Sequence, residues 1–107
     1  QTWDYGGHSL LGQGRHFNLL NEANDLLSKS KLFEKPILEL KIEILNDISA
    51  EHITYWEPKE KILEEMKKIV SADFDFLTNE DKIILKTRYK QFKEPKANKI
   101  EVNHRAY

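Results

Sequence analysis

The chain has 107 residues, of which 39% are apolar and 33% charged, with a formal net charge of −1. That length suits one domain with a buried core, and that balance suits a globular fold with a heavily solvated surface. The absence of cysteine excludes disulfides, thiolate metal sites and cysteine nucleophiles, and no apolar run approaches the roughly 20 residues that span a bilayer.

Residues 1–14 hold all four glycines, Gly6, Gly7, Gly12 and Gly14. Glycine costs helix stability, so this stretch is expected to be an irregular arm. A first helix is predicted over residues 15–30. There Leu19, Leu20, Ala23, Leu26 and Leu27 recur at spacings of three and four and share one stripe.

Residues 36–48 carry two patterns. Ile37, Leu38, Ile44, Leu45 and Ile48 form a helical face behind Pro36, with Lys41 as the misfit. Leu38, Leu40, Ile42 and Ile44 also alternate with charged residues, as a strand would. Leu, Glu and Lys favour helix, and the segment is long for a strand, so helix is preferred.

A third helix starts near Pro58 and runs to about Val70, burying Ile62, Leu63, Met66, Ile69 and Val70. A fourth opens at Thr78, where Asp81 stands at the capping-box position. It presents Ile84, Leu85, Tyr89 and Phe92 to the core and stops before Pro95. The expected fold is therefore a mainly α bundle of about four helices. It spans residues 15–94 of a single domain, with a basic tail over 95–107. The alternative is α+β, with a small antiparallel sheet from residues 37–45, 52–56 and 99–103.

Charge is segregated along the chain. Residues 34–81 carry thirteen acids and six bases, whereas residues 82–107 carry two acids and eight bases. The two stretches can attract each other within one fold, or the basic one can seek acidic partners. Lys86, Arg88, Lys90, Lys93, Lys96, Lys99 and Arg105 are the candidate binding residues, interleaved with Tyr89, Phe92 and Tyr107. Lysine and arginine neutralise phosphates and aromatic faces stack on bases, so nucleic acid is one expected partner.

The second constellation is His8, Arg15 and His16 in glycine-rich surroundings. Two imidazoles can act as general acid and base near neutral pH, and an arginine can steady a phosphate. That is the minimum kit for metal-independent RNA cleavage, and its chemistry is similar to the sites of small bacterial ribonuclease toxins. His104 and Arg105 are the tail residues that would complete such a site.

No metal or cofactor is expected. The four histidines show no tight ligand spacing. The acidic residues from Asp73 to Glu80 fail the calcium-loop pattern, with Thr78 at the glycine position and Ile84 at the bidentate-glutamate position. Gly12 and Gly14 form a lone GxG without the rest of a nucleotide fingerprint.

Residues 77–89 resemble the opening helix of the fourth region of bacterial sigma factors. No second amphipathic helix follows them, so the DNA-reading element that the resemblance implies is missing. Tyr55, Trp56, Trp3 and Tyr5 are candidate anchors for a protein partner.

The preferred function is a non-enzymatic protein-interaction or regulatory module, acting through the acidic stretch or the basic tail. The alternatives are the ribonuclease and the nucleic-acid binder, and no membrane is expected as partner. The lack of thiols suits a reducing compartment, so the cytoplasm is the expected location, with an exported or delivered domain as the alternative. The opening at Gln1 instead of methionine reads as a piece of a longer precursor.

Overall fold

A computed structural model describes residues 9–49 and 54–102. Four helices follow in chain order: α1 (Arg15–Lys29), α2 (Glu34–Ser49), α3 (Lys59–Ala72) and α4 (Asn79–Lys93). α3 packs most extensively on α4, α2 lies against α4, and α1 touches both α2 and α3. The radius of gyration, 13.8 Å, is near the value of about 13 Å for a folded chain of this length. No helix among the described residues is long and apolar enough to cross a membrane.

The helices begin where the residues can satisfy their free N–H groups. α4 does so locally. The Thr78 hydroxyl accepts from the Asp81 N–H at 3.1 Å, and the Asp81 carboxylate accepts from the Thr78 N–H at 2.9 Å. α1 has no such cap. Its N-cap is Gly14, in the left-handed region at φ 88°, with no side chain to offer. α3 begins after Pro58, whose carbonyl accepts from Lys61 and Ile62.

The segment with two patterns is helical throughout. Lys41, the misfit, reaches Asp81 across the α2–α4 seam at 2.9 Å, with only 12% of its side chain exposed. The same contact sets the second turn of α2 against the first turn of α4. Seven residues further along each helix, Arg88 donates to the Ile48 carbonyl, so α2 and α4 run parallel.

The core gathers Leu11, Leu20, Ile44, Ile48, Tyr55, Ile62, Met66, Ile69, Leu85 and Phe92. The expected stripes shift at two places. Ile84 is 42% exposed and Arg88 occupies the core-facing position beside Leu85 and Phe92. In α1 the buried positions are His16, Leu20 and Ala23, which turns Leu26 outward. In both helices a polar side chain, His16 or Arg88, takes an inward position where α2 offers it a partner.

The segments flanking the helices also contribute to the core. Ser9 pairs with Tyr55, and Thr54 with Glu101, as isolated parallel bridges. Three hydrogen bonds of 2.9–3.0 Å link them, from Ser9 N to Thr54 O, Trp56 N to Ser9 O and Tyr55 N to Glu101 O. The antiparallel sheet of the α+β alternative is therefore not formed among the described residues. Residues 37–45 are helix, and the other pairings are parallel and one residue long. Leu11, Ile100 and Val102 are buried, so parts of the glycine-rich arm and of the basic tail are core.

Candidate functional site

Five buried polar side chains, Ser9, His16, Asp47, Glu65 and Arg88, tie the elements together. His16 lies in the first turn of α1 and Asp47 in the last turn of α2. Their side chains meet in a hydrogen bond between His16 Nε2 and Asp47 Oδ2, sealed from solvent. The Ser9 hydroxyl donates to the same Oδ2 at 2.9 Å. The carboxylate thus joins the arm, α1 and α2 at one point. Asp47 stands between the hydroxyl and the imidazole, so Ser9 Oγ meets a carboxylate where a triad has an imidazole, and the trio lacks the order of a nucleophilic triad.

Glu65 of α3 is the second junction. Its carboxylate accepts from Gly12 N at 2.5 Å and from Phe17 N at 2.8 Å. Phe17 is the third residue of α1, so Glu65 supplies from another helix the cap that Gly14 cannot provide. Gly12 is pinned here at φ 108°, and a Cβ on it would lie 2.9 Å from the Glu57 Cβ. Beside this junction an open groove of about 630 Å³ runs between Gly12–Asn18 and α3, lined in part by Phe17, Glu57, Lys61 and Glu64. No group of three metal-ligating side chains occurs among the described residues.

Arg88 is the third junction. Its guanidinium donates to the Ile48 carbonyl at 2.8 Å, to Gln91 Oε1 at 2.9 Å and to the Tyr55 hydroxyl at 3.3 Å. The Tyr55 hydroxyl also reaches the carbonyls of Asp47 and Ile48, at 3.3 and 3.2 Å. These groups satisfy the last turn of α2, which ends without a basic residue of its own. Burial pushes the Tyr55 hydroxyl above its ordinary pKa, and the Arg88 guanidinium offsets only part of that rise.

The residues of the ribonuclease kit are placed unequally. Arg15 is exposed at the start of α1, whereas His16, next to it, is fully buried against Asp47. The His16 ring has no exposed surface. His8, His104 and Arg105 lie outside the described residues, as do Trp3, Tyr5 and Tyr107.

The candidate binding residues also divide. Lys86, Lys90, Lys93, Lys96 and Lys99 are exposed. Arg88 is not among them, because the interior carbonyl of Ile48 holds it. Lys93 rests over the Tyr89 ring with its ammonium 4.7 Å from the centroid, and Tyr89 is half-buried. Lys82 pairs with Asp73 at 2.8 Å, joining the basic stretch to the acidic one. That ammonium holds the Asp73 carboxyl below its ordinary pKa.

Sequence reading passed over Asp47 and Glu65, although the signal was present. Ile44, Asp47 and Ile48 keep the spacing of a buried face, and so do Ile62, Glu65, Met66 and Ile69. Of the aromatic anchors, Tyr55 is core and Trp56 is 42% exposed.

Searches with this chain matched no family of proteins, no curated protein and no solved structure.

Proposed function

We propose that the chain is a non-enzymatic protein-interaction module that engages its partner through the apolar end of the bundle. The supporting observation is where six of the seven exposed large hydrophobic residues among the described residues lie, Trp56 being the exception. Leu26, Leu32 and Phe33 surround the α1–α2 corner, with Leu32 87% exposed. Ile83 and Ile84 open α4, and Ile83 is 63% exposed. The Lys41–Asp81 pair and the 3.2 Å hydrogen bond from Phe76 N to Asn24 Oδ1 bring these turns to the same end. Ile42 follows Lys41 and is also exposed. Single exposed apolar residues are ordinary on a surface, but a group of this size at one end marks an interaction site.

The committed state of the polar clusters points the same way. His16, Asp47, Glu65 and Arg88 all bond within the fold, which supports a scaffolding role for them.

A photo-activatable side chain at position 32, against one at the exposed position 96, tests the reading in extract of the source cell. Crosslinks to one protein from position 32, lost with Phe33→Asp, are expected. Crosslinking that is equal at both positions, or indifferent to Phe33→Asp, would overturn it.

A further inference from the structure

We infer that the outer face of α4 binds the phosphate backbone of single-stranded nucleic acid through Lys86, Lys90 and Lys93. Successive residues of an α-helix are turned by about 100°, so Lys82, Lys86, Lys90 and Lys93 fall within an arc of about 80°. Their backbone positions span about 16 Å of the helix axis, in steps of about 4.5 to 6 Å. No aspartate or glutamate interrupts residues 82–93. Lys82 is committed to Asp73, but Lys86 and Lys90 have no carboxylate within ion-pair distance among the described residues. Lys96 and Lys99 extend the positive surface past the end of the helix, where both are exposed.

The lining of the row decides the partner class. A protein interface draws its affinity from apolar or aromatic anchors seated in pockets. From Ile83 to Lys93 the exposed residues are Ile83, Ile84, Lys86, Thr87, Lys90 and Lys93, and the one ring nearby, Tyr89, is half-buried beneath an ammonium. Past Ile84 the exposed stretch offers only ammonium groups and a hydroxyl, which suits a polyanion, whose binding is driven by release of counterions. Ile83 and Ile84 border both this row and the apolar end of the bundle, so the two proposals are tested at different residues, Phe33 for one and Lys86 with Lys90 for the other.

Fluorescence anisotropy of a labelled single-stranded oligonucleotide, titrated with the whole chain at several salt concentrations, tests the inference. The affinity should fall with salt on a log–log slope between about −2 and −3, the value for three to four phosphates. Lys86→Glu with Lys90→Glu should weaken binding by at least about tenfold. Lys31→Glu with Lys35→Glu, the same charge change on another surface, should have a much smaller effect. Circular dichroism checks that both variants fold. Absence of binding at low salt, equal loss in the two double variants, or equally tight binding of a polyglutamate peptide would overturn it.

Discussion

His16 and Asp47 meet inside the protein, imidazole nitrogen to carboxylate oxygen, and so lock the first turn of α1 to the last turn of α2. Removing one partner of a buried pair strands the other, which costs more than an exposed pair ever contributes. Asp47→Ala strands both the imidazole and the Ser9 hydroxyl, and is expected to lower stability by about 3 kcal/mol. A double-mutant cycle with His16→Leu, measured by urea unfolding, should return a coupling above about 1 kcal/mol. Additive losses would show that the contact holds nothing.

Glu65 should matter to the order of one segment as well as to global stability. Glu65→Ala frees the N–H groups of Gly12 and Phe17, and a loss of about 2 kcal/mol is expected. Amide hydrogen exchange should speed up at those two residues more than at the centre of α4. Glu65→Gln keeps an acceptor and should cost less.

Arg88 separates a structural cation from a binding one. Arg88→Met keeps the side-chain bulk but leaves the Ile48 carbonyl without its donor, so a loss of about 2 kcal/mol is expected by thermal unfolding. Oligonucleotide affinity of the folded variant should equal that of the parent. A matching drop in affinity would return Arg88 to the binding surface.

The α4 cap gives a pH signature. Burial raises the Asp81 carboxyl, but the Thr78 N–H, the Lys41 ammonium and the Thr78 hydroxyl outweigh it and hold the group below its ordinary 3.8. A carboxyl lowered on folding adds stability above its unfolded value and loses it as pH falls through the folded one. The stability difference between the parent and Asp81→Asn should therefore be constant from neutrality to about pH 5 and shrink below it. Thr78→Ala should cost about 1 kcal/mol at neutral pH. A difference that grows on acidification would contradict the assignment.

Much of the bundle was legible in the residues because helix formation is governed by spacing and local chemistry. The stripes of α1 and α3, the Thr78–Asp81 cap and the stop before Pro95 each depend on residues within one or two turns of one another. The alternating pattern across residues 38–44 was ambiguous for the same reason, since both periods fit locally. Only the neighbouring α4, offering Asp81 to Lys41, shows how the misfit is satisfied.

The sites were less legible. Spacing places His16, Asp47, Glu65 and Arg88 on inward faces, yet a polar residue there stays buried only if a distant chain segment satisfies it. Those partners lie 31 to 53 residues away for His16, Glu65 and the Ile48 carbonyl of Arg88. Composition and periodicity by themselves determined four amphipathic helices and a basic last quarter. The tertiary structure alone decided which charges turn inward as struts and which remain on the surface, because that choice depends on contacts between segments far apart in the chain.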